Sequence, residues 1–384
     1  SSIFFTSFMF KTKKIISAQM KIVSTGYAYS SSFNDPGQWL GRIRFYTCIL
    51  EALANEHEVH SIEQINHTGF LVQDGVQYHF LPPGTSRSGF PSTLHRYIGK
   101  IKPEVVLVNG FISPFRIMQL KWMLGRKVKI LVINRAERPG TGVRKWLQRM
   151  ASRSVHRYLF TGKAMGADWI QEGIFTDSKK IAAVIGASSS FRVMDKEPAQ
   201  IRTQASGSPV FLFVGRLDAN KDPLTVLRAF GRYAIEQPDA RLYMIYQTEA
   251  LLADINKLVQ SEPALQKTVV LVGSVSHQAM EDWYNSADFI ISASHYEGSG
   301  VAVCEAMSCG CIPILSDIPS FRAMTGEGSC GFLYPPGDSE ALLALLLHTK
   351  TMNREQEKEK TLRQFRKELS SGAIAAKIEA IIAE

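Results

Sequence analysis

Residues 295–310 read HYEGSGVAVCEAMSCG, and this stretch decides the fold. The run before it, residues 288–294, is apolar and β-rich and has the length of one strand. The glycine turn 298–300 follows, and residues 301–308 then predict a helix that a glycine ends. A strand, a glycine turn and a helix in this order direct free backbone N–H groups toward an anion. The stretch therefore predicts an α/β fold with an anion site, although such turns are also ordinary punctuation that binds nothing.

Two carboxylates frame this turn. Glu297 lies on it, and Glu305 lies inside the predicted helix among the apolar residues of 301–307. An unpaired charge is costly to bury in such surroundings, so Glu305 needs a partner. A pair of ligand hydroxyls is a natural one. The alternative is a half-exposed glutamate, as single glutamates in helices usually are.

A second group of polar residues follows an earlier strand. Residues 210–214 form an apolar run of strand type, and GRLDANK at 215–221 comes directly after it. Arg216 and Lys221 stand five residues apart on this loop. They can neutralise a diphosphate, arginine by its planar fork and lysine as a point charge. The alternative is that Arg216 pairs with a nearby acid and Lys221 points into solvent.

Strand and helix patterns alternate through both halves of the chain. Continuous apolar runs such as 104–108 and 210–214 are typical of parallel strands covered on both faces. Asp222 followed by Pro223 predicts a helix start, because it is an N-cap with proline at the first helical position. The sequence therefore predicts two doubly wound, Rossmann-like α/β domains that face each other across a cleft.

Composition shifts set the expected boundaries. Residues 1–19 are too short to span a bilayer and lack the features of a signal peptide, so we expect them to lie outside the fold. The stretch 196–208, rich in Gln, Ser, Gly and Pro, predicts a linker. The expected units are an extension (1–19), a first domain (20–195), a linker (196–208), a second domain (209–365) and a C-terminal helix that packs back on the first domain (366–384).

Composition and cysteine usage indicate a globular protein without a structural metal. Of the 384 residues 45% are hydrophobic, and the mean hydropathy is −0.04. The five cysteines are odd in number and show no ligand spacing, which favours buried free thiols in a reducing compartment.

Charge is distributed unevenly. Residues 1–200 hold 27 Lys/Arg and 13 Asp/Glu, a balance of +14, whereas the rest of the chain has a balance of −5. A basic helix is expected over 143–156. The first half is thus expected to meet something anionic, such as a lipid headgroup layer, a phosphorylated acceptor or nucleic acid, unless its charges form a merely solvated face. Nucleic acid fits least, because the basic residues are not interleaved with stacking aromatics.

The two polar groups together, in this order, resemble the retaining glycosyltransferases of the GT-B-fold family 4. The shared pattern is Gly215-Arg216-Leu217 with Lys221 five residues after the arginine, then two glutamates eight positions apart at Glu297 and Glu305. The resemblance covers residues 209–345 well and 20–195 only in layout.

The resemblance implies a role for each of these positions. Arg216 and Lys221 hold the donor diphosphate and, with Glu297, form the catalytic set. The donor-binding set also includes Gly215 and the amides of Gly298, Ser299 and Gly300. Glu305 accepts hydrogen bonds from the ribose hydroxyls, and Glu297 contacts the transferred sugar near its reacting face. No cofactor and no metal are expected, because the two cations take over the charge neutralisation.

This sequence departs from the family pattern in three places. The paired glycines of the first loop are here separated as Gly37 and Gly41, within a loop expected over 29–41. Where many members carry a histidine, the loop 134–139 offers Glu137 and Arg138 as acceptor-side candidates. Residues 245–247 lack the usual glycine, which leaves the base pocket unassigned.

These residues predict an enzyme that moves a hexose from a nucleotide diphosphate sugar to a glycan or lipid-linked acceptor in cell-surface polysaccharide (cell wall) biosynthesis. We expect a cytoplasmic protein with peripheral contact to the inner face of an anionic membrane through the basic first domain, and no nucleic-acid partner. Two alternatives stay open: a nucleotide-sugar epimerase of the same fold, and a non-catalytic nucleotide-sugar-binding protein.

Overall fold

The structure is a computed structural model that describes residues 19–82 and 93–384. Of the expected N-terminal extension, residues 1–18 lie outside the described residues. Within the described part, no helix is long and apolar enough to cross a membrane.

The first half of the chain forms an eight-stranded sheet. Its strands are β1 (Lys21–Gly26), β2 (Glu58–Gln64), β3 (Gly69–Gln73), β4 (Val76–Leu81), β5 (Val105–Asn109), β6 (Lys129–Ile133), β7 (Arg157–Phe160) and β8 (Ile181–Ala183). Their order is β3-β4-β2-β1-β5-β6-β7-β8, and all neighbours are parallel except the β3–β4 hairpin. The strand order reverses at β1, which lies between β2 and β5.

Helices cover both faces of this sheet. They are α1 (Pro36–Arg42), α2 (Arg44–Ala54), α3 (Thr93–Ile101), α4 (Pro114–Leu124), α5 (Gly142–Ser152) and α6 (Ala167–Gln171). Along β5, Leu107 belongs to the core that contains α2, whereas Val106 and Val108 belong to the core that contains α4 and α5. Alternate side chains of one buried strand therefore serve two layers, as a parallel sheet requires.

The second half forms a six-stranded, fully parallel sheet. Its strands are β9 (Val210–Val214), β10 (Arg241–Ile245), β11 (Val269–Gly273), β12 (Phe289–Ser292), β13 (Ile312–Ser316) and β14 (Phe332–Tyr334). Their order is β11-β10-β9-β12-β13-β14. The order reverses between β9 and β12, which pair directly through Phe211 and Phe289. The carboxyl ends of β9 and β12 consequently lie side by side at the edge of the sheet where such folds bind ligands.

Ten helices of the described chain accompany this half. They are α7 (Lys196–Thr203), α8 (Pro223–Glu236), α9 (Leu252–Ser261), α10 (Pro263–Thr268), α11 (His277–Ser286), α12 (Val301–Ser308), α13 (Pro319–Met324), α14 (Ser339–His348), α15 (Arg354–Gln364) and α16 (Ser371–Ala383). As predicted, α12 spans residues 301–308 and α8 begins after the cap Asp222, whose carboxylate accepts from the Thr225 amide.

Two segments expected to be irregular contain helices. The linker 196–208 begins with α7, which packs on α11 and forms ion pairs at 2.5 Å from Lys196 to Asp288 and at 2.7 Å from Arg202 to Asp282. The loop 29–41 contains most of α1, whose cap Asp35 accepts from the Gln38 amide at 2.7 Å. Tertiary contacts thus order the first eight residues of the predicted linker 196–208 as a helix.

The last helix packs on the first domain. Ile374 and Ile378 of α16 share a core with α2, and the Lys129 ammonium donates to the Ile382 carbonyl at 2.5 Å. A π-helical turn, Phe365–Leu369, precedes α16. Here the Ser188 hydroxyl donates to the Leu369 carbonyl at 2.7 Å. The two segments that connect the domains thus lie side by side.

Candidate active site

The loops after β9 and β12 are bound to each other. The His295 amide donates to the Asn220 carbonyl at 2.8 Å, and the Asn220 side-chain amide donates to the Tyr296 carbonyl at 3.0 Å. His295 Nε2 lies 3.1 Å from Asp222 Oδ2. These contacts join the predicted phosphate loop to the predicted sugar loop at the point where the strand order reverses.

Lys221 and Glu297 meet at this junction. The Lys221 ammonium forms an ion pair with Glu297 Oε1, and both side chains are mostly buried. The Lys221 amide donates to Asp218 Oδ1 at 2.9 Å, which fixes the loop beneath it. The lysine stem runs past Gly215, where a Cβ would lie 3.4 Å from Lys221 Cδ, an ordinary van der Waals contact. Two of the predicted catalytic residues are therefore in direct contact.

Arg216 lies on the same loop and is exposed. Its Nε lies 3.2 Å from Asp218 Oδ2, so the alternative of pairing with a nearby acid is what the structure shows. A guanidinium carries five N–H donors, however, and one contact through Nε leaves the others for a second anion. Arg216 and Lys221 share Asp218 as a neighbour, which places both cations on one loop surface.

The glycine turn ends in an uncapped helix start. Gly300 is the N-cap of α12, has a φ of 51° and lends no side chain to the first-turn amides. A Cβ at Gly300 would lie 2.9 Å from Phe321 Cε1, so both backbone conformation and space require glycine. The first-turn N–H groups of α12 are left for another acceptor.

The turn also touches the first domain. The Thr161 hydroxyl donates to the Gly298 carbonyl at 2.6 Å. A Cβ on Gly298 would lie 2.8 Å from the Ala136 backbone nitrogen. The Ser299 hydroxyl is buried beside Gly186 and has no hydrogen-bond partner among the described residues. The turn is thus enclosed between the domains and carries an unsatisfied hydroxyl.

Glu305 has the partner that its burial requires, and the groups that supply it belong to the protein. Its carboxylate is buried and accepts from the Tyr284 hydroxyl at 3.0 Å, while His277 Nε2 lies 2.9 Å from its other oxygen. Burial, followed by the Glu305 charge, raises the pKa of Tyr284 well above its usual range, so the hydroxyl keeps its proton. The helix neighbour α11 therefore supplies the counter-groups that sequence reasoning assigned to a ligand.

The acceptor-side candidates have different surroundings. The Glu137 carboxylate accepts from the backbone amides of Phe111 and Arg135, at 2.9 and 2.6 Å, and so ties together the loops after β5 and β6. The Arg138 guanidinium lies 4.3 Å from the centre of the Tyr296 ring, next to Glu297. Arg138 faces the site, whereas Glu137 holds the loop that presents it.

Residues 195–368 match the sequence profile of the family described as glycosyl transferases group 1. This part of the chain is a group 1 glycosyltransferase domain. It contains all the predicted site residues of the second half.

Curated relatives of the glycosyltransferase domain are glycosyltransferases. A GDP-mannose:cellobiosyl-diphosphopolyprenol alpha-mannosyltransferase from Xanthomonas oryzae pv. oryzae is 31% identical over 175 residues, which cover 43% of this chain and 46% of the relative. A phosphatidyl-myo-inositol mannosyltransferase from Mycolicibacterium smegmatis is 25% identical over 184 residues, which cover 47% of this chain and 44% of the relative. The chain thus spans less than half the length of the curated relatives it matches.

Solved structures match nearly the whole chain in fold. Sucrose-phosphate synthase from Thermosynechococcus elongatus has a TM-score of 0.70 at 16% identity, with 95% of this chain and 98% of that chain covered. The Anabaena HepE protein, in complex with UDP and glucose, has a TM-score of 0.65 at 13% identity, with coverage of 95% and 100%. The chain therefore has the GT-B fold, in which two Rossmann-like domains face each other.

Gly37 lies in the first turn of α1 and Gly41 in its last turn, so neither lies in a loop. They border a surface hollow of about 250 Å³ together with Arg44, Asp74 and Tyr78. No residue of the glycosyltransferase domain lines this hollow in the described part of the chain. A donor-binding role for the two glycines stays a prediction.

Sequence reasoning missed a buried polar network beneath the first-domain side of the cleft. The Arg135 guanidinium donates to the Gly186 carbonyl and to Asn109 Oδ1, each at 2.6 Å, and it lies 5.4 Å from the Tyr46 ring centre. Burial lowers the pKa of Arg135, and the nearby Tyr46 and acids oppose that effect. The available signal was its position directly after β6, at the edge of the sheet where ligands bind.

Glu63 anchors the other end of this network. Its carboxylate accepts from Trp39 Nε1, the Tyr46 hydroxyl and the Ser61 hydroxyl at 3.0, 2.8 and 2.7 Å. Three donors satisfy a buried carboxylate, so this residue fixes α1 and α2 against β2.

Over residues 19–82 and 93–384, no cluster of three or more His, Cys, Asp or Glu side chains is arranged to hold a metal ion.

Proposed function

We propose that the protein is a retaining hexosyltransferase of family 4 that transfers a sugar from a nucleotide diphosphate donor to a glycan or lipid-linked acceptor. The observation that carries this proposal is the Lys221–Glu297 ion pair at the uncapped start of α12. It brings a cation for phosphate, a carboxylate for sugar hydroxyls and free amides into one enclosed place.

The donor diphosphate is the first group to be held. A lysine ammonium has three donors, so Lys221 can bind a phosphate oxygen while it keeps Glu297. Arg216 adds a fork from the exposed rim, and the Ser299 hydroxyl supplies a donor that lacks a partner in the described residues. In the reaction the bond from the anomeric carbon to the phosphate oxygen breaks and a bond to the acceptor oxygen forms. Charge accumulates on the leaving diphosphate, and we propose that these groups stabilise it without a metal.

The glutamates orient the two sugars of the donor. Glu297 faces the hydroxyls of the transferred hexose, and the Lys221 ammonium lies against its carboxylate. An ionised carboxylate has about four acceptor sites. Tyr284 and His277 each contact one oxygen of Glu305, so acceptor sites stay open for the ribose hydroxyls. Arg138 lines the acceptor side opposite, where it stacks on Tyr296, and Glu137 holds the loop that presents it.

The names of the relatives suggest which substrates to try first. One relative is named for GDP-mannose and a diphosphopolyprenol acceptor, another for a phosphatidyl-myo-inositol acceptor. We therefore propose GDP-mannose as the first donor, a lipid-linked acceptor in cell-surface polysaccharide synthesis, and a peripheral location on the cytoplasmic face of the membrane.

A thermal-shift series tests the donor site. GDP, GDP-mannose, UDP and UDP-glucose are added to the full chain, and a bound nucleotide raises the melting temperature by mass action. Arg216→Ala should weaken diphosphate binding about tenfold or more, since a charged hydrogen bond contributes about 1.5–3 kcal/mol. Arg228→Ala, an exposed arginine of α8, is the matched control and should leave the shift intact. A wild-type chain that none of the nucleotides shifts contradicts the proposal.

Product analysis separates the enzyme classes. Transfer that requires an added acceptor and yields the anomeric configuration of the donor supports a retaining transferase. Conversion of donor into a stereoisomer without acceptor supports an epimerase, and binding without turnover of any of the four nucleotides supports a binding protein.

A further inference from the structure

We propose that the outward faces of α4 and α5 dock the protein on an anionic lipid bilayer. We call this surface the α4–α5 face and define it by Phe115, Trp122, Val143, Trp146, Arg149 and Arg153. The proposal rests on the proposed function only for its purpose, which is to bring a lipid-linked acceptor to the cleft.

The α4–α5 face exposes large apolar side chains. Trp122 is 79% exposed and Trp146 is 60% exposed, and Phe115 and Val143 are exposed beside them. Ile112, in the loop before α4, extends the group. Single exposed apolar residues are normal, but two tryptophans and three other large side chains on adjacent helices mark an interaction site.

Helix geometry puts these side chains on one surface. Phe115 and Trp122 are seven residues apart and share the outer side of α4, whereas Ile117 and Leu120 are buried beneath. On α5 the outer side holds Trp146 and the buried side holds Ala151.

Both helices cover the same face of the sheet. They connect β5 to β6 and β6 to β7, contact each other and share one core. Right-handed crossovers between successive parallel strands place their helices in one layer. The outer sides of α4 and α5 therefore form a continuous surface.

The charge of this segment complements an anionic bilayer. Residues 110–157 contain twelve Lys/Arg and one acidic residue, Glu137. That acid is turned inward, where it accepts from two backbone amides. Lys145 pairs at 2.6 Å with Glu172, the residue that follows α6, whereas Arg149 and Arg153 have no ion-pair partner among the described residues.

Tryptophan rings flanked by arginines are the side chains that settle in the headgroup layer. Their apolar bodies enter the acyl boundary while the cations meet lipid phosphates. A protein partner would need a surface that is both acidic and apolar and that matches the shape of this face. The bilayer is the occupant that both the aromatic and the basic side chains fit.

The position of the face suits delivery of an acceptor. The loop before α4 contains Phe111, whose amide is tied to Glu137. The loop before α5 contains Arg138, which stacks on Tyr296 beside Glu297. Both helices therefore begin at the cleft and lead away from it, so a membrane on the α4–α5 face reaches the edge of the site.

Vesicle cosedimentation of the full chain tests this proposal. Phosphatidylcholine vesicles are compared with vesicles that also contain phosphatidylglycerol, at low and at high salt. We expect binding to the anionic vesicles at low salt and its loss at high salt. Trp122→Glu/Trp146→Glu and Arg149→Glu/Arg153→Glu should each lower the partition coefficient about tenfold or more.

Matched changes outside the first domain are the controls. Ile201→Glu/Ile235→Glu replaces two exposed apolar residues, and Arg228→Glu/Lys257→Glu reverses two exposed charges. Both should bind anionic vesicles within about twofold of the wild type, given the local range of surface electrostatics.

Three results overturn the proposal: no binding of the wild type to anionic vesicles, equal binding to neutral vesicles, or binding that survives both α4–α5 variants. A wild-type dimer that dissociates in Trp122→Glu/Trp146→Glu, without vesicle binding, assigns the face to a second copy instead. Donor thermal shifts of the same variants should equal the wild type. If no nucleotide raises the melting temperature of the wild type, the proposed function is contradicted, whereas the conclusion from vesicle binding stands.

Discussion

Lys221 and Glu297 form an ion pair although 76 residues separate them in the chain. Lys221 leaves β9 and Glu297 leaves β12, and these two strands are direct neighbours where the strand order reverses. The pair is thus a product of sheet topology. It binds the loop after β9 to the loop after β12, so each side chain has a structural part beside the chemical part that we propose.

Replacing Lys221 or Glu297 singly should separate diphosphate binding from catalysis. Lys221→Met should weaken binding of both the free nucleoside diphosphate and the nucleotide sugar, since the phosphates lose a cation. Glu297→Gln should keep diphosphate binding but lower kcat about 10²–10³-fold, the usual effect of losing one group that acts on the transition state. Calorimetry with the diphosphate and initial rates with the nucleotide sugar measure the two effects. Lys257→Met, an exposed lysine of α9, should change neither, and a full-rate Glu297→Gln enzyme contradicts the assignment.

The buried contact between Tyr284 and Glu305 should be important for stability. Tyr284→Phe removes the hydroxyl that satisfies the carboxylate at 3.0 Å and leaves a buried charge underpaired. We expect a loss of about 1–3 kcal/mol in the free energy of unfolding by urea denaturation. Tyr29→Phe, at a partly exposed tyrosine, should cost less than about 0.5 kcal/mol. Equal stability of the two variants would show that Tyr284 does not support Glu305.

Gly298 should tolerate no side chain. A Cβ there would lie 2.8 Å from the Ala136 backbone nitrogen of the other domain, and backbone cannot swing aside as a flexible side chain can. Gly298→Ala is expected to cost about 1–3 kcal/mol, the usual cost of overpacking, and to weaken donor binding by displacing the turn. Gly372→Ala is the control, because a Cβ in α16 meets nothing within 4 Å and should be neutral or slightly stabilising. A wild-type melting temperature for Gly298→Ala argues against close apposition of the domains.

The first domain should lose stability below neutral pH. Burial, with His60 as a lesser cause, lowers the pKa of His79 to about 4, and burial with Arg116 lowers the pKa of His95 to about 4. The unfolded chain binds these protons near pH 6.5, so it holds more protons than the folded chain between about pH 6.5 and 4. The contribution is therefore present above pH 6.5 and is lost as the pH falls through this window.

Melting curves across this window measure the effect. The double variant His79→Gln/His95→Gln should show a shallower decline in melting temperature from pH 7 to pH 4 than the wild type. His348→Gln, at a surface histidine of α14, should keep the wild-type slope. A double variant with an unchanged slope would assign the acid sensitivity to other groups.

The second domain was largely predictable, since its signals are local. The strand, the glycine turn and α12 lie within 23 consecutive residues, 288–310, and the cap of α8 follows from Asp222 and Pro223. The same Asp-Pro signal at Asp35 marks the start of α1, in a stretch that composition predicts to be a loop. Asp74-Gly75 likewise marks the β3–β4 hairpin, a turn signal that went unused.

The partners of the site residues were not predictable in the same way. The Glu305 partners come from α11, twenty-one and twenty-eight residues earlier, and no local pattern states which helix packs beside α12. The Arg135 guanidinium is held by the Gly186 carbonyl oxygen and the Asn109 side-chain oxygen, which lie at or after the ends of two other strands. Such contacts arise when the sheet order brings distant loops together, and sequence spacing does not encode that order.

The hydrogen bond from Ser188 to the Leu369 carbonyl has a mechanical consequence. The outgoing and returning connections between the two lobes run together there, so the protein has a single pivot instead of two separated tethers. Rotation about such a point moves nearby atoms little and the far rim of the crevice most. In the proposed reaction such a rotation would admit substrate and release product at the mouth of the crevice, while the Ser188–Leu369 hydrogen bond stays in place.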